Sequence, residues 1–236
     1  MIKINGLEKR FGKLEVLKGI DLEIEKGLVN AIVGPNASGK TTLIKSILGL
    51  VKQDKGEIFV KNQKLNGIWE YKKYIGYMPQ IACFPENLTA KEVIHLLTGL
   101  RDNNIKTDSE LIQLFQLEKE MEKPLRTLSG GTRQKVNAVL AFLFYPDILI
   151  LDEPTAGLDP ISSSILKDKI LKETMSGKTI ILTSHIMTEI EELANHLIFL
   201  VEGKIYFEGT LESIKANTNE SKLERAIARM MRETER

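Results

Sequence analysis

Gly34-Pro35-Asn36-Ala37-Ser38-Gly39-Lys40-Thr41 places two glycines four residues apart and follows them with a lysine and a hydroxyl residue. This combination handles phosphate. Glycines let backbone N–H groups converge on phosphate oxygens, and a following helix adds the positive end of its dipole. Lys40 is then placed to reach β- and γ-phosphates, and Thr41 to ligate Mg²⁺. A second group lies downstream, where the apolar run Ile148-Leu149-Ile150-Leu151 ends in Asp152-Glu153. Asp152 suits Mg²⁺, directly or through water. Glu153, one residue further, suits a general base that polarises an attacking water. Two acids after a strand ordinarily form only a solvated edge; the phosphate loop upstream favours chemistry.

These groups need a scaffold. Val16 to Ile24 alternates nearly enough to be a strand, and Leu28 to Val33 is a short apolar run of the buried kind. A helix is expected from about Gly39 to Leu48 with Gly49 as C-cap, then strands at Glu57 to Val60 and Tyr74 to Tyr77. From Cys83 to Phe144 the pattern turns helical, over Thr89 to Leu97, Asp108 to Leu117 and Ser129 to Phe144. Ile148 to Leu151 and Thr179 to Thr183 read as strands. Helices are expected at Pro160 to Thr174 and Ile186 to Leu193. Glu202-Gly203 reads as a hairpin turn between Leu197 to Val201 and Lys204 to Phe207. Alternating strands and helices imply an α/β fold with a mostly parallel sheet, so the phosphate loop sits at a strand-to-helix turn and Asp152 at a strand's C-terminal edge, where open α/β sheets bind ligands. In the charged tail Leu223, Ile227 and Met230 recur at helical spacing. That spacing is read as an amphipathic helix docked on the domain or on a partner; a frayed, solvated terminus is the plain alternative.

Leu128-Ser129-Gly130-Gly131-Thr132-Arg133-Gln134 precedes the Asp152 strand. With it the chain resembles the ATP-binding cassette (ABC) family over essentially its whole length. The resemblance implies a P-loop ATPase with a mostly parallel core, an antiparallel β part and a helical insert. Its expected layout is one domain, with core residues 1–82 and 145–214, helical residues 83–144 and a C-terminal helix or tail at 215–236. It also implies that Leu128, Ser129, Gly130, Gly131 and Thr132 face the γ-phosphate bound to a second copy, so that two cassettes sandwich two ATP molecules.

Other positions map one at a time. Phe11, followed by Gly12, matches the aromatic that stacks on adenine, although an isolated Phe is more often core. The nucleotide set then runs from Phe11 through Gly34, Pro35, Asn36, Ala37, Ser38, Gly39, Lys40, Thr41 and Thr42. Gln80 matches the glutamine that links Mg²⁺ and water to the helical insert. His185, in Thr183-Ser184-His185, matches the histidine that contacts the γ-phosphate and orients Glu153. Asp159 matches the loop that crosses the dimer interface; followed by Pro160 it is equally a helix N-cap, and both roles are compatible. Ala37 stands where many members have Gly and is expected to be tolerated at negative φ. Thr132 replaces the signature Gln. His95 and His196 match no family position. Leu128 to Pro160 with Leu182 to Met187 looks most like the NosF-type ATPases that serve copper-site maturation of nitrous oxide reductase; multidrug and other exporter ATPases share much of this sequence.

Composition narrows the partners. Lys plus Arg number 33 against 32 Asp plus Glu, a net charge of +1 that argues against a dedicated nucleic-acid binder. The single cysteine, Cys83, excludes an intrachain disulfide and a cysteine-based zinc site, and fits a reducing cytosol. The most apolar run, Val136 to Leu151, is broken by Pro146-Asp147, and the charged N-terminus does not suit a signal peptide. The expectation is a cytoplasmic subunit on the inner face of the cell membrane. Its implied ligands are ATP and Mg²⁺. Its implied partners are a separate membrane permease, a second copy and, for the copper subtype, a periplasmic accessory protein. With one phosphate loop and no sustained heptads, a DNA-repair or ribosomal ATPase of this family is disfavoured, as is a non-catalytic nucleotide-binding module, since Glu153 and His185 are both present.

Overall fold

The computed structural model describes residues 2–67, 69–82, 84–101 and 105–234. Cys83 lies outside the described residues. The chain forms two compact units, residues 1–72 with 179–236, and residues 73–178.

In the first unit, β1 (Ile2–Phe11) and β2 (Leu14–Ile24) pair antiparallel, with Ile2 opposite Ile24 and Ile4 opposite Leu22. The unit continues through β3 (Val29–Val33), α1 (Lys40–Ile47), β4 (Lys55–Val60) and β5 (Gln63–Lys64). The antiparallel sheet has the order β2-β1-β4-β5. β1 is hidden in the sequence for a local reason. A bulge between Ile4 and Leu7, with Gly6 at φ 56, shifts the apolar alternation by one residue. The buried set Ile2, Ile4, Leu7 is therefore in phase on the strand and out of phase in sequence. Gly49, expected as the cap of α1, lies one residue beyond the Leu48 cap, at φ 64.

The second unit opens with β6 (Ile75–Met78) and continues through α2 (Ala90–Arg101), α3 (Glu110–Leu114), α4 (Gly130–Phe142), β7 (Ile148–Asp152) and α5 (Pro160–Met175). β6 and β7 run parallel, Ile75 opposite Ile148 and Met78 opposite Leu151. α3 is shorter than the apolar spacing suggests. Asp108 Oδ1 accepts the Glu110 N–H at 2.9 Å before the first turn, and Gln116 at φ 55 takes the chain out of helix.

The chain then returns to the first unit with β8 (Thr179–Thr183), α6 (Met187–Leu193), β9 (His196–Val201), β10 (Lys204–Thr210), α7 (Leu211–Thr218) and α8 (Leu223–Thr234). Here the order is β10-β9-β3-β8. β3 is parallel to both neighbours, Ile32 facing Thr183 and Val33 facing Phe199. All five residues of β3 and of β8 and all six of β9 are buried, which is why they read as mostly apolar runs rather than alternations. The Glu202-Gly203 turn closes the β9–β10 hairpin with both residues at positive φ, 46 and 78. Leu223, Ala226 and Ile227 of α8 are buried, and Leu223 N–H donates to Glu191 of α6 at 3.1 Å.

Candidate nucleotide-binding site

In the first unit the glycine-rich loop leaves the C-terminal end of β3 and enters α1. Gly34 passes so close to β9 that a Cβ there would lie 2.0 Å from the Leu200 carbonyl oxygen. Only glycine fits. The Gly203 N–H donates to the Ser38 carbonyl at 2.9 Å, fastening the loop's far side to the β9–β10 turn. Lys40 Nζ donates to the carbonyls of Gly34 at 2.8 Å and Pro35 at 2.9 Å, so its ammonium is folded back over its own loop. The first turn of α1 holds no acidic residue, which leaves its N–H groups and dipole available to an anion. Asn36, Ala37 and Thr41 are exposed, Pro35 and Thr42 half-buried; Ser38 is buried, and its hydroxyl has no hydrogen-bond partner among the described residues.

Ala37 departs from expectation. Its φ is +62, in the left-handed region, where the sequence reading required a negative value. The methyl group is accommodated, since the residue is exposed, but the backbone carries strain of roughly 1–2 kcal/mol that glycine would avoid.

Two further residues of this unit are presented to solvent. Phe11, at the end of β1, is 51% exposed with Lys9 Nζ 5.3 Å from its ring centroid, so it is not a core residue. His185 is exposed just after β8. Its turn is held by Ser184, whose hydroxyl donates to Glu189 at 3.1 Å and accepts the Ile186 N–H at 3.0 Å. His95 is exposed on α2 and His196 is buried at the start of β9.

In the second unit, Asp152 ends β7, buried, and Glu153 follows with φ at +52. A glutamate held in the left-handed region must be over-determined by its surroundings, and such strain gathers at functional sites. Gln80 is exposed two residues beyond β6. Because Met78 faces Leu151 across the parallel pair, Gln80 and Glu153 leave the same edge of the same two strands. Two buried amides of α4 lie behind that edge. Asn137 Nδ2 donates to the Pro79 carbonyl at 2.8 Å and to Gln134 Oε1 at 3.4 Å, and Gln134 Nε2 donates to the Pro154 carbonyl at 3.4 Å. Neither is among the site residues expected from the sequence. The available signal was a pair of polar residues three apart on a helix whose other inward positions are apolar.

The sequence profile of the ABC transporter family matches residues 17–156, more than half of the chain. The chain belongs to the ABC transporter family. It is 33% identical over 210 residues to the lantibiotic transport ATP-binding protein SrtF of Streptococcus pyogenes, covering 88% of this chain and 90% of that one. It is 31% identical over 229 residues to the daunorubicin resistance ATP-binding protein DrrA3 of Streptomyces coeruleorubidus, covering 94% and 72%. Among solved structures, the dimeric post-hydrolysis state of the ATP-binding cassette MJ0796, bound to ADP and Pi, matches with a TM-score of 0.80 at 26% identity, over 89% of this chain and 99% of that one. The fold is that of an ABC ATPase, and the chain is an ATP-hydrolysing cassette of that family.

The segment that resembles the ABC signature, Leu128 to Thr132, starts α4. Ser129 is its N-cap, accepting the Thr132 N–H at 3.1 Å, and its hydroxyl also pairs with Thr132 Oγ1 at 2.8 Å. Threonine in place of the usual glutamine thus adds a side-chain bond to the cap. Leu128 is buried beneath it, and Gly130 has open space around its Cβ position. At Gly131 a Cβ would lie 3.1 Å from the Gly157 carbonyl oxygen, so this glycine allows the signature helix to approach the Asp159 loop. Asp159 caps α5 by accepting the Ser162 N–H at 2.9 Å. Among the described residues, no helix of this ABC cassette is long and apolar enough to cross a membrane.

Proposed function

We propose that this ABC cassette binds ATP with Mg²⁺ and hydrolyses it as the energy-supplying subunit of an exporter, pairing head to tail with a second copy on the cytoplasmic face of a membrane permease. The observation that carries the reading is the phosphate loop: Gly34 pressed against Leu200, Lys40 held over the loop carbonyls, and an α1 N-terminus free of acids. The drug-resistance and lantibiotic-transport roles in the names of DrrA3 and SrtF support export over the copper-maturation subtype. That subtype, and a periplasmic accessory protein with it, rests on motif resemblance alone. The dimeric MJ0796 structure with ADP and Pi supports the paired arrangement.

In this reading Phe11 stacks on the base, residues 34–42 cradle the phosphates, and Glu153 takes a proton from the attacking water while Gln80 and His185 orient it. Ser129, Gly130, Gly131 and Asp159 serve the second copy's nucleotide. The Thr41 hydroxyl, the Asp152 carboxylate and the Gln80 amide oxygen are hard oxygen donors of the kind Mg²⁺ prefers beside nucleotide phosphates. Bound there, Mg²⁺ would neutralise charge on the β- and γ-phosphate oxygens. Glu153→Gln tests the chemistry: it is expected to keep ATP affinity while turnover falls about a hundredfold or more, and wild-type turnover would remove Glu153 from the base role. Co-expression with a membrane permease encoded beside it and purification in detergent tests the partnership; failure to co-purify would count against it.

A further inference from the structure

We infer that Gln134 and Asn137 are positioning residues for ATP hydrolysis: together they tie the loop carrying Gln80 to the loop carrying Glu153. The inference rests on the assignment of Gln80 and Glu153 to hydrolysis proposed above.

Both anchoring carbonyls belong to prolines, Pro79 and Pro154, each immediately adjacent to the side chain in question. Proline has no N–H, so at each of these positions the carbonyl is the only backbone group by which the loop can be held. Asn137 spends both amide hydrogens, one on Pro79 and one on Gln134, and Gln134 passes the connection to Pro154. The two amides are 99% and 94% buried, so water does not replace either bond and an unmade one would leave a desolvated polar group. The result is a continuous link from Pro79 through Asn137 and Gln134 to Pro154, running behind the strand edge from which Gln80 and Glu153 emerge.

Two features mark the link as more than packing. Glu153 sits at φ +52, a conformation that holds only if its neighbours hold it, and the Pro154 carbonyl one residue on is the point Gln134 grips. Both amides also ride on α4, the helix that Ser129 caps. The signature serine, the Gln80 loop and the Glu153 loop are thereby referenced to one rigid element.

The test uses the full chain. Asn137→Ala and Asn137→Ser are compared with Gln80→Ala, with Gln80→Ala combined with Asn137→Ala, and with Glu153→Gln as control. Steady-state ATP hydrolysis, ATP affinity and thermal unfolding are measured for each. Asn137→Ala should lower kcat about ten- to a hundredfold, the range for losing a supporting contact behind a reactive group. KM and ATP affinity should stay within about twofold, since the nucleotide cradle is untouched. The combined variant should fall short of the product of the two single effects, because part of what Asn137 does passes through Gln80. A kcat within about twofold of wild type, or effects that multiply in the combined variant, would overturn the inference. If Asn137→Ala does not unfold cooperatively, Asn137→Ser is read in its place; failure of both to fold would assign the pair to structure alone and equally overturn it. Wild-type turnover in Glu153→Gln would instead sink the underlying assignment, whatever Asn137 does.

Discussion

Lys135 Nζ lies 3.1 Å from Asp159 Oδ2, joining the signature helix α4 to the first residue before α5. The same carboxylate accepts the Ser162 N–H through Oδ1 at 2.9 Å and the Ser162 hydroxyl through Oδ2 at 2.7 Å. Asp159 therefore serves as helix cap and ion-pair partner at once. The Ser162 hydrogen bonds, seconded by Lys135, hold its carboxyl well below the usual carboxylate range. The cap should dominate, because the Asp159 side chain is half exposed and exposed ion pairs contribute little. Thermal unfolding should rank wild type above Asp159→Asn above Asp159→Ala, with the larger step between the last two. An Asn variant as unstable as the Ala variant would show that the ion pair, not the cap, matters.

Ala37 carries a strain the sequence does not announce. With φ at +62 and the residue exposed, Ala37→Gly removes a left-handed penalty of roughly 1–2 kcal/mol and adds back unfolded-chain entropy of about 0.4–1 kcal/mol. The balance favours glycine by about 0 to 1.6 kcal/mol, each kcal/mol corresponding to a Tm rise of about 2–4 °C for a chain of this size. Calorimetry decides it. A lowered Tm would mean that the loop's conformation is set by something other than backbone preference.

Much of this scaffold was legible because burial and period coincide. β3, β7 and β8 are wholly buried, so short, mostly apolar runs located them, and the phosphate loop and Asp152 followed from their ends. Illegible features arise where backbone geometry and sequence part company. β1 is disguised by its bulge at Gly6. The positive φ of Ala37 and Glu153 is a conformation that neither residue type favours, so the residue types do not announce it. The Asn137-to-Pro79 bond joins residues far apart in sequence, and no local pattern encodes such a pairing.

Lys169 anchors the most heavily charged cluster of the second unit. Its Nζ lies 2.6 Å from Asp108, 2.7 Å from Glu110 and 2.7 Å from Glu173, and its side chain is 2% exposed. Replacing it with Met leaves the buried carboxylates of Asp108 and Glu173 without this ammonium. Removing one member of such a set costs about 3 kcal/mol or more. Urea unfolding at pH 7 should show that loss; an unchanged midpoint would mean the cluster re-forms around Lys172 and Lys178.

The same cluster sets a pH window. Burial opposes the charge on Lys169, but hydrogen bonds to Asp108, Glu110 and Glu173 outweigh it and hold its pKa above 10.5. Hydrogen bonds from Lys169 and Lys172 hold Glu110 below 4.5. A raised lysine contributes stability that is complete below its unfolded pKa and is lost as pH rises through the folded value. A depressed glutamate contributes stability that is complete above its unfolded pKa and is lost as pH falls through the folded value. The cluster's contribution should therefore be flat from about pH 5 to 10 and fall on either side. In Glu110→Gln the loss below pH 4.5 should shrink, as read from urea midpoints across pH; an unaltered acid limb would assign acid sensitivity to other carboxylates.

The last helix shows how docking creates structure. α8 has only 12 residues, at the limit below which an isolated helix is marginal in water, so its helicity depends on what it buries. Leu223, Ala226 and Ile227 supply the apolar contact. Two polar ties accompany it: Glu191 accepts the Leu223 N–H at 3.1 Å and pairs with Lys215 at 2.7 Å, and Arg229 donates to the Thr218 carbonyl at 2.7 Å. Leu223→Ala should remove about 2 kcal/mol or more of packing, but from a terminal element whose opening need not unfold the core. Hydrogen exchange should then accelerate across residues 223–234 while amides of β3 and β8 keep their protection. Equal acceleration everywhere would make α8 part of the global folding unit, and unchanged exchange in α8 would show that its polar ties, rather than Leu223, hold it in place.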